Sequence, residues 1–317
     1  MEEAIKTIHL SKFYGETRAV DDLNLSVSRG EIFGFLGLNG SGKTTTIRTL
    51  LGLVKPSQGE AFLLGKKVVA GMTDIWRDVG YLVETPYSYP ELTVEENLSV
   101  LLKLRGIKDH SRVKWIMQML QLEKSAVKKA KHLSLGNAQR LGIAKALIHK
   151  PKIVLLEEPT NGLDPAGIVE VLELLKDLAE NSGVTILISS HKLAEISRIA
   201  TSIGIIHGGR LVTTIDTKGL ESRLRKVLLV DGRHKSAMQS ILANAGYEVK
   251  QKRINERSVL ALEDERAVLV PEEIAAFLVH EGHPPTLLKV EREDLEAFFL
   301  RTIHEKGVYR DHGHELH

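Results

Sequence analysis

The sequence predicts an α/β fold with a parallel core sheet, followed along the chain by a smaller α+β domain. Two apolar runs, "EIFGFL" (31–36) and "KIVLLE" (152–157), have the composition of strands buried on both faces. A third run, "VTILISS" (184–190), follows a helical pattern, and strand, helix and strand in this order predict parallel neighbours. After residue 218 the pattern becomes β-α-β-β-α-β, which favours a ferredoxin-like domain.

Other elements are expected around this core. Residues 5–10 and 23–28 alternate apolar and polar side chains, which predicts an antiparallel, half-exposed sheet near the start of the chain. A helical subdomain is expected at about 91–134, where Thr93 and Glu96 have the spacing of a capping box. We therefore expect an antiparallel β subdomain and a helical insertion beside the parallel sheet.

The change of pattern at residue 218 sets the expected domain bounds. A large α/β domain would span 1–218, an accessory α+β domain 219–305 and a tail 306–317. The tail ends in "DHGHELH", which is rich in histidine but lacks the HExxH spacing of a zinc site. This composition is compatible with two alternatives, a disordered tail and a tail that binds metal.

Composition excludes several classes of function. The net charge is +2, with 43 basic and 41 acidic residues, so there is no basic excess to bind a nucleic acid backbone. The chain has no cysteine, which excludes disulfides, zinc–thiolate sites and cysteine nucleophiles. The first residues lack a signal peptide, and no run approaches a membrane span, so we expect a cytoplasmic protein.

A glycine-rich turn joins the first buried strand to a helical pattern. Residues 37–44, "GLNGSGKT", match G-x-x-x-x-G-K-[ST], a phosphate-binding loop whose small residues let backbone N–H groups point at a β-phosphate. The following helix N-terminus favours anions. In such a loop Lys43 reaches the β- and γ-phosphates and Thr44 binds Mg²⁺.

A phosphate loop needs a carboxylate from a second strand to hold the metal. The run 152–157 ends on Glu157, which we expect near Mg²⁺. Glu158 follows it and points elsewhere along the strand, where it can polarise an attacking water.

The stretch 133–165, "LSLGNAQRLGIAKALIHKPKIVLLEEPTNGLDP", closely resembles the signature of ATP-binding-cassette (ABC) ATPases. Its Ser134-Leu135-Gly136 stands where the family usually has serine-glycine-glycine, and Gln139 follows. The resemblance covers about residues 1–218 and implies a P-loop ABC ATPase domain that binds ATP and Mg²⁺.

The resemblance also implies roles for single residues. Tyr14 would stack on adenine, although a half-buried strand aromatic is the alternative. Glu84 stands where a metal-contacting glutamine is usual, Glu158 would be the catalytic carboxylate, and His191 would contact the γ-phosphate together with the catalytic Lys43. The remaining expected contacts to ATP come from the phosphate loop, namely Gly37, Asn39, Gly40, Ser41, Gly42, Lys43, Thr44 and Thr45.

The family mechanism implies a dimer. Two such domains pair head to tail, so that Ser134 and Gly136 of one copy contact the ATP held by the other, and residues 161–164 contribute to the same interface. A homodimer is expected, and pairing with a different cassette is the alternative.

Two residues depart from the family pattern. Glu157 replaces the usual aspartate, and Glu84 replaces the usual glutamine. With Glu158 they would place about three negative charges near the metal. The hypothesis is tighter binding of the divalent ion with hydrolysis preserved but slowed; a lineage feature without kinetic effect is the alternative.

The branch of the family is indicated by two further stretches. Residues 80–98, "GYLVETPYSYPELTVEENL", and 292–303, "REDLEAFFLRTI", resemble the branch of bacitracin-resistance and other antibiotic-efflux ATPases. The resemblance implies an ATPase subunit, peripheral on the cytoplasmic face of the membrane, that powers a separate permease exporting drugs, antibiotics or lipid-like compounds. The Tyr/Pro loop 86–90 would grip that permease or, alternatively, pack on its own domain.

Three other questions stay open at this point. A soluble ABC ATPase acting on DNA or ribosomes usually has a long coiled-coil insertion or two cassettes, and neither pattern is present. An ATP-gated regulator that barely hydrolyses ATP remains an alternative because of Glu157. The accessory domain would be either a lid that stabilises the dimer or a regulatory module.

Overall fold

The computed structural model describes residues 2–84, 86–254 and 257–305, so the predicted tail 306–317 lies outside the described residues. The chain divides into two compact units. The first comprises residues 1–218 with the end of the chain from residue 302, and the second comprises Gly219–Arg301. Within the described residues, no helix is both long enough and apolar enough to cross a membrane.

The first unit mixes strands and helices. Its strands are β1 (Glu3–Tyr14), β2 (Thr17–Ser28), β3 (Ile32–Leu36), β4 (Gln58–Leu63), β5 (Lys66–Lys67), β6 (Val79–Leu82), β7 (Ile153–Glu157), β8 (Thr185–Ser190), β9 (Ser202–His207) and β10 (Arg210–Asp216). Its helices are α1 (Lys43–Leu50), α2 (Val94–Leu104), α3 (Ser111–Met119), α4 (Leu135–Leu147), α5 (Pro165–Ser182) and α6 (Leu193–Ile196). Short 3₁₀ turns lie at Asp74–Arg77, Glu123–Ser125, Ala130–His132 and Thr217–Gly219.

A six-stranded sheet forms the centre of this unit. Its order is β10-β9-β3-β8-β7-β6, with every neighbouring pair parallel except β9 and β10. Every residue of β3 and β7 is buried, as their uninterrupted apolar composition predicts. The carboxyl ends of β3, β7 and β8 lie at one edge of the sheet, because parallel neighbours point the same way.

A second, antiparallel sheet has the order β2-β1-β4-β5. Alternating burial along β2 confirms that one face packs inward, as the sequence pattern predicts. Its buried residues, including Leu10, Val20 and Leu25, share one hydrophobic core with Phe35 of β3 and Ile47 of α1. This core fixes α1 between the two sheets.

Helices α2 and α3 belong to the predicted helical subdomain. The Thr93 side chain accepts from the Glu96 N–H, and the Glu96 carboxylate accepts from the Thr93 N–H, so the predicted capping box is confirmed. Helix α5 begins after Asp164, whose side chain accepts from the Gly167 N–H at 3.2 Å.

The second unit is built on an antiparallel sheet. Its elements are α7 (Leu220–Arg223), β11 (Lys226–Asp231), α8 (Lys235–Asn244), β12 (Val249–Ile254), β13 (Arg257–Leu262), α9 (Glu265–Leu269), α10 (Pro271–His280), β14 (Leu287–Arg292) and α11 (Leu295–Glu305), the last of which runs past Arg301. The sheet order is β12-β13-β11-β14, and all its pairs are antiparallel. Met238 and Leu242 of α8 and Ile274 and Leu278 of α10 share one buried core with Leu228 of β11.

Candidate functional site

The phosphate loop connects β3 to α1, and its backbone requires glycine. A Cβ on Gly37 would lie 2.3 Å from the Ser41 Oγ and 2.6 Å from the Ile206 carbonyl, so no side chain fits. Gly40 and Gly42 have φ angles of 78° and 107°, which are strained for other residues. The spacing of glycines seen in the sequence is therefore a requirement of this turn.

The N-terminus of α1 is left free to bind an anion. Gly42 occupies the N-cap position and provides no side-chain cap, and the first turn contains no acidic residue. The Ser41 Oγ is buried without a hydrogen-bond partner among the described residues. Free N–H groups, a positive helix end and an orphaned hydroxyl fit a bound phosphate.

Lys43 folds back over the same loop. Its Nζ donates to the carbonyl oxygens of Gly37 at 2.6 Å and Leu38 at 3.1 Å. Burial lowers the pKa of Lys43, while the charges of Glu158 and Glu157 act in the opposite direction. The lysine thus lies between the loop and the two strand-end glutamates.

Glu157 ends β7 and faces α1. Its buried carboxylate accepts a hydrogen bond from the Thr44 hydroxyl through one oxygen and from the Glu84 N–H through the other, at 3.1 Å. Thr44 and Glu157, which the sequence assigns to the metal, are therefore adjacent. A hydroxyl and a carboxylate are oxygen ligands, and they fit the preference of Mg²⁺.

Glu84 joins this pair only through its backbone. Its carboxylate instead pairs with the Arg48 guanidinium of α1, with Nη2 at 2.5 Å from Oε1. Glu84 has a φ angle of 58°, in the left-handed region that few residues other than glycine adopt. In the described part of the chain, no three His, Asp or Glu side chains converge as a metal cluster. Arg48 was not predicted as a site residue, although it lies four residues after Thr44 on the same face of α1.

Glu158 and His191 come together at the carboxyl edge of the sheet. The Glu158 Oε1 accepts from the His191 N–H at 3.1 Å and from the His191 Nδ1 at 2.8 Å. The Ser190 hydroxyl donates to the other oxygen at 3.2 Å. Glu158 has a φ angle of 46°, so its side chain leaves the strand in a different direction from that of Glu157. Gln139 of α4 donates to the Glu158 carbonyl at 3.0 Å.

Ser134 and Gly136 lie at the start of α4, next to residues 161–164. The Ser134 Oγ accepts from the Asn137 N–H at 3.3 Å, as an N-cap does. A Cβ on Gly136 would lie 3.0 Å from the Gly162 carbonyl, so this contact needs a small residue. Leu135 is 66% exposed, and an open cavity of about 480 Å³ lies on this face.

Tyr14 lies at the end of β1 and is 50% exposed. The Lys12 Nζ lies 4.9 Å from the centroid of its ring. Half of this side chain is exposed, so the ring has surface for stacking on a base beside the Lys12 cation. Stacking on adenine stays a prediction.

Comparison with known proteins places this arrangement in a family. The ABC transporter family pattern matches residues 20–161. The bacitracin transport ATP-binding protein BcrA of Enterococcus faecalis is 37% identical over 97% of this chain and 99% of its own length. BcrA of Bacillus licheniformis is 45% identical over 72% of this chain and 74% of its own length.

Solved structures with a similar fold are also ATP-binding cassettes. An ATP-binding cassette solved as a dimer in a post-hydrolysis state, bound to ADP and Pi, has a TM-score of 0.63 and 29% identity over 67% of this chain and 98% of its own length. In this chain a phosphate loop follows β3, two acids lie at the end of β7 and a histidine follows β8. The chain therefore belongs to the ABC transporter family and is one of its ATPases.

Proposed function

We propose that this chain is the ATP-hydrolysing subunit of an exporter, and that it powers a separate membrane permease that removes a peptide antibiotic such as bacitracin. The observation that carries the proposal is the match to a bacitracin transport ATP-binding protein along nearly the whole chain, second unit included. The chain itself would lie on the cytoplasmic face of the membrane. The permease, not this chain, would select the antibiotic.

The residues around the phosphate loop divide the chemistry between them. The loop and the N-terminus of α1 bind the phosphates, and Lys43 exchanges its bonds to the loop carbonyls for bonds to phosphate oxygens. Thr44 and Glu157 are the residues that would hold Mg²⁺. When bound, Mg²⁺ neutralises charge on the transferred phosphoryl group.

Glu158 and His191 act on the other side of the γ-phosphate. The Glu158 carboxylate orients an attacking water and takes its proton. His191 holds that carboxylate through its N–H and Nδ1, and Ser190 supports it. A charge-assisted set of three donors keeps the base oriented between turnovers.

Two copies would pair head to tail around ATP. Ser134 and Gly136 lie on an exposed face beside Leu135. Among the described residues, neither forms a hydrogen bond to the phosphate loop of its own copy. The solved cassette with this fold is a dimer. ATP would then join the phosphate loop of one copy to the signature of the other, and hydrolysis would release it.

The loop after Glu84 would contact the permease. Tyr87 is 73% exposed and packs edge-on against Tyr89, with ring centroids 6.0 Å apart. Pro86 packs on the chain itself, since a Cβ on Gly142 would lie 2.6 Å from its ring. The two alternatives for the Tyr/Pro loop therefore apply to different residues: Pro86 anchors the loop and the tyrosines remain available.

Export can be tested in a susceptible bacterial strain. The chain is expressed with the membrane protein that co-purifies with it, and growth is measured in rising concentrations of bacitracin. We expect resistance that disappears with Glu158→Gln in the chain, at equal protein level. Resistance that survives Glu158→Gln, or co-purification with ribosomes or DNA in place of a membrane protein, would overturn the proposal.

A further inference from the structure

A side chain from helix α4 holds the backbone of Glu158. The Gln139 Nε2 donates to the Glu158 carbonyl oxygen at 3.0 Å, and the two residues are 19 positions apart along the chain. Gln139 is buried, with 4% of the residue exposed. A buried amide without a partner costs free energy, so this bond is one that the folded chain keeps.

The backbone of Glu158 has an unfavourable conformation. Its φ angle of 46° lies in the left-handed region, where the Cβ of an ordinary residue crowds the following carbonyl oxygen. Such a conformation persists only where the surrounding structure holds it in place. The backbone groups on both sides of the Glu158 Cα therefore need fixed partners.

Three hydrogen bonds supply these partners. The Glu158 N–H donates to the Ser189 carbonyl of β8 at 2.9 Å. The Glu158 carbonyl accepts from the Asn161 N–H at 3.1 Å and from Gln139. Asn161 belongs to the same turn as Glu158 and moves with it, whereas Gln139 belongs to a helix whose other side is packed in the protein. Gln139 therefore ties this turn to a separate element.

The position of this backbone decides where the carboxylate points. The Glu158 carboxylate accepts from the His191 N–H and Nδ1 and from the Ser190 hydroxyl, and these donors lie at or just after the end of β8. If the Glu158 carbonyl lost its tie to α4, the backbone could relax toward a favourable conformation and turn the Cα–Cβ bond away from these donors. A bond to the carbonyl thus acts on the carboxylate.

We propose that Gln139 is a positioning residue for ATP hydrolysis, which holds the Glu158 carbonyl and so keeps the Glu158 carboxylate directed at the attacking water in the same copy of the chain. In this role Gln139 touches neither ATP nor the water. The inference rests on the proposed function, in which Glu158 is the base. It adds a residue whose loss slows hydrolysis without weakening the binding of ATP.

The alternative role for Gln139 is to shape the signature that contacts the ATP of the other copy. Ser134 lies at the start of α4, and Gln139 follows about one and a half turns further along the helix. Leu135 is 66% exposed on the signature face, whereas Gln139 is buried and bonded to Glu158. The burial and the bond therefore favour an action on Glu158 of its own copy.

A double-variant comparison tests whether Gln139 acts through Glu158. Gln139→Met keeps the length of the side chain but removes the N–H donor. Gln139→Asn keeps the amide but is one methylene shorter, and it serves as the second variant. Each is made in the wild-type chain and in Glu158→Gln, and kcat, KM for ATP and stability in urea are measured for the full-length chain. Slow turnover is followed with radiolabelled ATP.

We expect either Gln139 variant to lower kcat about fivefold in the wild-type background and to leave KM for ATP unchanged. In the Glu158→Gln background neither should lower the residual turnover further, because the group that Gln139 positions is already lost. A loss of stability alone would lower the turnover in both backgrounds alike.

Mixed dimers test in which copy Gln139 acts. When Lys43→Ala chains are mixed with Gly136→Asp chains, the intact site uses the phosphate loop and Glu158 of the Gly136→Asp chain and the signature of the Lys43→Ala chain. Gln139→Met is added to one chain or to the other, so each mixture is the matched control of its counterpart. We expect the fivefold loss only when Gln139→Met is in the Gly136→Asp chain.

The outcomes separate this inference from the proposed function. An unchanged kcat in the Gln139 variants, an equal loss in both backgrounds or an equal loss for both placements would overturn the inference and leave Glu158 as the base. Turnover near the wild-type rate in Glu158→Gln would overturn the assignment of the base and the inference with it. Mixtures without activity would overturn the head-to-tail dimer, and the double-variant comparison would still decide the role of Gln139.

Discussion

The Glu84 carboxylate is paired with the Arg48 guanidinium at 2.5 Å, while the Glu84 N–H donates to Glu157 at 3.1 Å. One residue thus links the loop after β6 both to α1 and to the carboxylate beside Thr44. Arg48 offsets the charge that Glu84 brings into this region. The negative charge near Thr44 is therefore smaller than three glutamates alone would give.

Replacing Arg48 by glutamine exposes the charge of Glu84. We expect Arg48→Gln to lower the Mg²⁺ concentration for half-maximal ATP hydrolysis about two- to fivefold, because a free carboxylate then adds negative charge close to Thr44 and Glu157. In a Glu84→Gln background, Arg48→Gln should have a smaller effect, because the change then removes a positive charge without freeing a carboxylate. The midpoint is measured by titrating ATP hydrolysis with Mg²⁺. The affinity for a divalent ion is measured separately with Mn²⁺, by electron paramagnetic resonance. An equal shift in both backgrounds contradicts the pairing.

The extra methylene of Glu157 can be tested in the same assay. Glu157→Asp shortens a side chain that now reaches both Thr44 and the Glu84 N–H. We expect the aspartate to lose one of these bonds and to change the Mg²⁺ midpoint at least twofold, a change of about 0.4 kcal/mol. If Glu84→Gln and Glu157→Asp both leave the Mg²⁺ dependence unchanged, the two glutamates have no kinetic role.

Removing the charge of Glu158 separates ATP binding from hydrolysis. We expect Glu158→Gln to slow turnover about 100-fold or more, because the amide cannot take the proton of water. ATP binding should persist, since the phosphate loop is unchanged, and an ATP-dependent dimer should accumulate on gel filtration. Lys43→Ala is the control that loses ATP binding. Turnover near the wild-type rate in Glu158→Gln would show that another group is the base.

Mixing two inactive variants tests the head-to-tail dimer. Lys43→Ala destroys the phosphate loop, and Gly136→Asp places a carboxylate at the signature, where it would repel a phosphate. In a mixed dimer one site has both changes and the other has neither. We expect each variant to be inactive alone and the mixture to recover roughly a quarter of the wild-type rate, because random pairing makes half of the dimers mixed. No recovery would indicate that each site lies within one copy.

Local features of the sequence were the most predictable. The phosphate loop, the buried strands β3 and β7 and the capping box of Thr93 depend on neighbours within a few residues. Glu158 and His191 are adjacent because both come directly after parallel strands that pair in the sheet, a contact that the separate roles expected from the sequence did not include.

Contacts that depend on distant segments could not be predicted. The direction of the Glu84 side chain depends on its positive φ and on the place where α1 passes. The cavity beside Arg105 forms where α2, the Asp74–Arg77 turn and Lys150 meet, and the sequence pattern does not show which distant segments come together. The helix α9 before Pro271 was missed because it has only five residues.

Acid should destabilise the first unit through His149. Its folded pKa is about 4 against an ordinary 6.5, so between these values the unfolded chain binds more protons than the folded chain. The free energy of unfolding should therefore fall as the pH decreases from about 6.5 to 4, by about 3 kcal/mol for this group. Burial is the main cause of the lowered pKa, and the charges of Arg105 and Arg112 add to it, while the hydrogen bond to the Val79 carbonyl and the charge of Asp78 oppose it.

The chain offers a direct measurement of this effect. Its two tryptophans, Trp76 and Trp115, both lie in the first unit, so their fluorescence reports its unfolding in urea. Wild type and His149→Gln are compared from pH 4.5 to 8, because glutamine can still donate to the Val79 carbonyl but does not titrate. We expect the wild type to lose more stability than the variant below pH 6.5, while both respond equally above pH 7. Parallel curves over the whole range would mean that His149 titrates alike in the folded and unfolded chain.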